Sequence, residues 1–261
     1  MAGYRTKRIR SRVRDAQASL LAVALLCATA AAAEGTRFSV DLEALSAWQG
    51  RNDVEVPNDG SATRFALDGL TGRGPYVTPR LQLSGTLAPR HEWRVLLAPL
   101  SITEDGQSVR PISFQGQTFA AGSVNAHYRF DSWRATWRYL WINREDLRVK
   151  IGFTAKVRDA SIRLRQGSRS ASKDNTGFVP LLHASIERPL SGKWGLEADI
   201  DALGGGPGYA VDAGARLVRQ IDDEWSVQAG WRFLDGGADN DEVYAFARFT
   251  SVGLGVRWTP R

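Results

Sequence analysis

Apolar and polar residues alternate with period two through most of this chain, in segments of about ten residues, and this constrains the fold more than any other feature. From Trp225 the odd positions read Trp225, Val227, Ala229, Trp231, Phe233, and the even ones Ser226, Gln228, Gly230, Arg232. Phe38 to Ala44, Trp133 to Trp141 and Leu147 to Val157 read the same way, and so do the stretches 77–87, 93–101, 178–187, 194–202, 209–217 and 244–258. Helical 3.6 periodicity is absent beyond the first thirty-odd residues. The pattern predicts an all-β protein of about ten strands, each with one greasy and one polar face.

The connections alternate in length as well. Short ones fall at Ala88–Glu92, Asn143–Asp146, Leu190–Lys193 and Ile221–Glu224, and long polar ones at 50–76, 103–127, 167–176, 203–208 and 235–243. Strands of this length, joined by short turns at one end and long loops at the other, make an antiparallel transmembrane β-barrel. Residues 62–70 and Pro111–Phe119 are ambiguous as further strands, so eight to twelve strands fit. Trp93, Trp141, Trp194, Trp225 and Trp258 all abut the short-turn ends, as expected of an interfacial aromatic girdle.

The first fifteen residues carry Arg5, Lys7, Arg8, Arg10, Arg12 and Arg14 against Asp15, which accounts for nearly all of the formal net charge of +6. The folded part is therefore close to neutral and gives no basis for nucleic-acid binding. The basic run precedes a short apolar stretch, Ser19–Ala28, and Ala31-Ala32-Ala33 follows: the pattern of a signal peptide at 1–33, cleaved before a barrel domain at 34–261. Cys27 is the only cysteine and lies inside that leader, so the expected mature chain has no disulfide and no thiol chemistry.

The last alternating segment, Val252-Gly-Leu-Gly-Val-Arg-Trp258, is similar to the aromatic-ended signal of the small outer-membrane β-barrel superfamily of Gram-negative bacteria, which the chain resembles over its whole mature length. The resemblance implies an outer-membrane location, contact with outer-membrane lipid and lipopolysaccharide, passage through the barrel-assembly machinery, and no cofactor. It leaves oligomeric state open.

With apolar residues turned to lipid, the alternate residues face a lumen. Arg134, Arg138, Arg148, Lys150, Lys156 and Arg158 would make one basic wall, and Glu187, Glu197, Asp199, Asp201 and Asp212 an acidic one; meeting across a narrow barrel, they would form a ladder of ion pairs. Asp212 and Arg232 are expected opposite one another across the turn at Ile221–Glu224. His183 and Ser185 share a strand face near Glu197, Asp199 and Asp201, and their spacing resembles that of lipid A deacylases; Ser185, His183 and Asp199 would then form a hydrolase triad. Phe178, Pro180, Leu182, Ala184 and Ile186 claim the lipid face of that segment, which turns His183 inward, away from acyl chains. Asp235–Glu242 offers oxygen ligands at a spacing that fits no calcium loop, and Gly204–Gly208 lacks the lysine and helix of a phosphate loop. The expected function is a non-enzymatic outer-membrane barrel, structural or surface-interacting, or a narrow solute conduit. The alternatives are a lipid-active serine hydrolase and a soluble periplasmic all-β binding protein.

Overall fold

The computed structural model describes Phe38–Arg261; the leader and its boundary at Ala33 lie outside the described residues. The elements are β1 (Phe38–Glu55), β2 (Phe65–Ala66), a short helix α1 (Asp68–Thr71), β3 (Tyr76–Ala88), β4 (His91–Ala98), β5 (Ser101–Ser108), β6 (Ile112–Phe114), β7 (Gln117–Phe119), β8 (Gly122–Asn143), β9 (Arg148–Gln166), β10 (Arg169–Pro189), β11 (Trp194–Gly205), β12 (Gly208–Gln220), β13 (Trp225–Asn240) and β14 (Val243–Trp258). Neighbouring staves pair antiparallel in chain order, and β14 closes on β1 from Val40↔Trp258 to Glu55↔Tyr244. Closure leaves the sheet without terminal edge strands. Ten staves form the wall, because β4 and β5 are one stave: both pair with β8, in continuous register from His91↔Tyr139 to Ser108↔Gly122. No helix among the described residues is long and apolar enough to cross a membrane.

The short turns lie where the sequence places them, and the long connections do not all behave as loops. Residues 169–176 belong to β10 and pair with β9 out to Arg169↔Gln166; residues 235–240 belong to β13, and only Gly206 and Pro207 separate β11 from β12. Polar composition there marks strand that stands in water, since a ladder satisfies its backbone whatever its side chains touch. The two ambiguous segments are not staves. Residues 62–70 hold β2 and α1, and Pro111–Phe119 holds the β6–β7 hairpin.

The face parity of each strand persists along its length while the polarity of the two faces exchanges. On β8 the outward residues Trp133, Ala135, Trp137 and Tyr139 give way toward the long-connection end to Asp131, Arg129, His127 and Asn125. The inward ones pass from Arg138, Thr136 and Arg134 to Tyr128, Ala126 and Val124, all buried. On β9 the outward face passes from Phe153 and Val157 to Asp159, Arg163 and Arg165, and the inward face from Lys150, Thr154 and Lys156 to Ile162 and Leu164. The exchange falls at one level, because Asp131 and Asp159 pair directly. Below that level the exposed Phe153, Phe178, Leu182, Trp231 and Leu254 form an apolar belt. From Trp133 to Trp141, eight residues at about 3.4 Å each and tilted about 40° span roughly 20 Å, enough for a lipid-facing band.

Above the level, the barrel is built like a water-soluble one. Val54, Val56, Leu67, Leu70, Ile102, Phe114, Phe119, Val124, Leu164 and Phe249 form a single buried apolar cluster, to which the β2–α1 segment and the β6–β7 hairpin contribute. Gly106 on β5 lets α1 approach this closely: a Cβ there would stand 2.3 Å from the Leu70 carbonyl oxygen.

One seam of the wall is interrupted. The β3–β4 ladder stops at Leu81↔Leu97. Two residues further along each strand stand Pro79 and Pro99, in positions that would pair, and neither has an N–H to give. Past them β3 pairs only with β1, and β5 only with β8.

Candidate functional site

The lumen is filled by charge. Asp201, fully buried, receives Arg94 Nη2 at 2.7 Å and Arg134 Nη1 at 2.8 Å on one oxygen, and Thr154 Oγ1 at 2.8 Å on the other. Arg134 also bonds Asp212. Asp212 takes Arg232 Nη2 at 2.5 Å, Arg232 reaches Asp199 at 3.2 Å, and Asp199 lies 3.6 Å from Arg94 Nη1. Three arginines and three aspartates thus alternate in a closed ring drawn from β4, β8, β11, β12 and β13, across the width of the barrel. Such burial of ions is tolerable only because each is paired and hydrogen-bonded.

A second tier lies nearer the short-turn end. Glu92 accepts Arg138 and Lys150, each at 2.9 Å, and Lys150 also meets Glu187 at 2.5 Å. Glu197 takes Arg216 and Arg257, each at 2.7 Å; Arg257 continues to Asp41 at 2.7 Å, and Arg80 gives its Nε to Glu43 at 3.1 Å.

Of the basic-wall residues, Arg134, Arg138 and Lys150 meet acidic partners. Arg148 does not: it is exposed at the short-turn rim, where the strand has just left the turn. Arg158 is bonded to Asn175, and Lys156 is buried with its ammonium 5.0 Å from the Phe130 ring; neither has a carboxylate within 4.0 Å among the described residues. Asp212 and Arg232 are not opposite. The register sets Asp212 against Leu234 and Arg232 against Gly214, and the pair forms on the diagonal because Gly214 has no Cβ, which would stand 2.6 Å from Arg232 Nη1. Arg94, Arg80, Arg216, Arg257, Asp41, Glu43 and Glu92 complete the network; all but Glu92, which sequence puts in the turn Ala88–Glu92, occupy the inward parity of an alternating segment.

The hydrolase constellation comes apart. His183 is 3% exposed, and its carboxylate partner is Asp201, at 2.7 Å from Nδ1 and directly across the β10–β11 ladder. Asp199 is held by Arg232 and Arg94 instead. Ser185 Oγ and His183 Nε2 are buried without a hydrogen-bond partner, so serine and imidazole are not joined. Asp235 is tied to Arg248 at 2.8 Å and to the Tyr209 hydroxyl at 3.2 Å, on strand rather than on a loop. No group of three or more His, Cys, Asp or Glu side chains among the described residues is placed to hold a metal ion.

The five tryptophans expected to form a girdle lie near the short turns. Trp194 and Trp225 open β11 and β13 and are exposed, as is Trp141 at the β8 bulge; Trp258 packs edge-on against Phe38 and beside Trp225, while Trp93 lies over Gly85. A closed ten-stave wall, an outward apolar belt and a polar lumen leave one architecture.

The fold is that of an outer-membrane β-barrel.

One solved structure shares the fold. The outer membrane protease OmpT from Escherichia coli superposes with a TM-score of 0.54 over 86% of this chain and 97% of its own, at 8% identity, which is likeness of fold alone. The attachment invasion locus protein Ail of Yersinia pestis matches at a TM-score of 0.37 and 12% identity, over 85% of this chain and 98% of its own. No protein-family model matches the chain, and no curated protein is detectably similar to it in sequence.

Proposed function

We propose that this barrel resides in the outer membrane as a closed, non-enzymatic scaffold, and that its work is done by the surface it carries beyond the lipid band. The observation behind this reading is the alternating ring of Arg94, Asp201, Arg134, Asp212, Arg232 and Asp199, roofed by the apolar cluster. Ions crossing the lumen would have to displace both. A hydrolase using Ser185 and His183 draws no support from a histidine sealed in the lumen beside an unconnected serine.

The partners this surface suits are outer-membrane lipid and the phosphates of lipopolysaccharide. On β8 and β9 the outward row above the belt sets His127 beside Arg163, and Arg163 and Arg165 have no carboxylate within 4.0 Å among the described residues. Cations left without internal partners just outside the lipid band attract anionic headgroups. Planar-bilayer recording tests the closed-scaffold reading: the refolded barrel should carry no steady current, including after Arg138→Ala and Lys150→Ala, since the apolar roof remains. Large, stable wild-type channels would favour a conduit.

A further inference from the structure

Behind the interrupted seam between β3 and β5 lies a cavity of about 70 Å³. Thr78, Ala98, Pro99 and Leu100 form its membrane side. Its roof is Phe130, Leu234 and Phe249, the underside of the apolar cluster. Its floor is the upper edge of the charge ring, with the three guanidinium groups of Arg80, Arg134 and Arg232 against the single carboxylate of Asp212. Outside the seam, Val77, Pro79 and Leu81 continue the outward, apolar parity of β3, and Val77 is almost fully exposed.

The floor has unused donors. Arg80 gives Nε to Glu43, and its two terminal amino groups have no partner among the described residues. Arg232 spends both terminal amino groups on Asp199 and Asp212, so Arg80 is the cation with donors left to give. A guanidinium fork suits a carboxylate. The cavity has room for a carboxylate head and the first methylenes of a chain, since a water needs about 10–15 Å³ on the same measure. The rest of a chain would have to lie in the bilayer, and the prolines leave the seam unpaired where it would pass.

We propose that this is a lateral binding site for a single-chain fatty acid, with its carboxylate on Arg80 inside the barrel and its alkyl chain leaving between Pro79 and Pro99, at the level of Asp131, down into the outer leaflet. The proposal goes beyond the closed-scaffold reading and does not depend on it, because the seam opens sideways and not along the lumen.

The probe is 5-doxyl-stearate, added at alkaline pH to the refolded chain in phosphatidylcholine nanodiscs and followed by electron paramagnetic resonance. A motionally restricted component should saturate at one probe per barrel, and a doxyl-labelled alkyltrimethylammonium of equal length should show none. Arg80→Met should weaken the binding about tenfold, the loss of one charge-assisted contact, and Ala98→Trp, which fills the cavity, should abolish it. Arg216 remains 3.7 Å from Glu43 in Arg80→Met, so that variant decides the matter if Ala98→Trp does not refold. Absence of a saturating component, equal restriction of the cationic probe, or binding unchanged in Arg80→Met would overturn the proposal.

Discussion

The two halves of this barrel are made from the same strands and are held together by opposite means. In the membrane half the interior is ionic and the exterior apolar; in the outer half the interior is apolar and the exterior carries Arg129, Arg163, Arg165 and Asn125. What passes unchanged from one half to the other is geometry: β8 keeps its even residues inward from Val124 to Arg138. The solvent outside each stretch decides which parity is apolar, so the level of Asp131 and Asp159 marks a change of solvent and not of fold. It also means that the two interiors should fail differently when mutated.

In the ionic half, removing one partner should cost more than removing two. Arg232→Met leaves Asp212 and Asp199 short of a counter-ion and should destabilise the refolded barrel by about 3–5 kcal/mol, while adding Asp212→Leu should restore much of that loss. Urea titration of both variants reads the difference, and additive losses would mean that each charge is separately hydrated. In the apolar half, volume should govern. Leu164→Ala should cost about 2–5 kcal/mol and Leu164→Met less than about 1.5 kcal/mol, and equal losses for the two would show that the cluster is not packed.

The smallest effect belongs to the outer surface. Burial, together with Arg163, Arg129 and Arg165, pushes the His127 proton off, so its imidazole should titrate below the ordinary histidine range. A folded-state pKa lowered in this way gives local stability that is present above the ordinary histidine range and is lost as the pH falls through the lowered value. Imidazole chemical shifts across an acid titration would read it, and protonation above the ordinary range would place His127 away from those arginines.

Ten staves and their short turns were legible because alternation and turn chemistry are local. The exchange of polarity was not, because Val124, Ala126, Tyr128, Ile162 and Leu164 continue a parity that carries charges nearer the turns, and Val124 and Ala126 sit in a stretch whose composition reads as a polar loop. Inward acids and bases could be named from parity alone, but their partners could not. Asp201 instead of Asp199 at His183, and the diagonal between Asp212 and Arg232, follow from registers fixed by the closed ladder. The opening between β3 and β5 needed Pro79 and Pro99 to be seen two residues past Leu81↔Leu97, which is again a matter of register.

The central claim, one barrel with an exchanged interior and a sealed lumen, is tested most directly by nitroxide scanning of β8 from position 125 to 139 in lipid. Odd positions should favour a water-soluble relaxant through 131 and dissolved oxygen from 133 onward, while even positions remain shielded from both. An odd-numbered face that stays in lipid along the whole strand, or even positions open to the water-soluble relaxant, would contradict it.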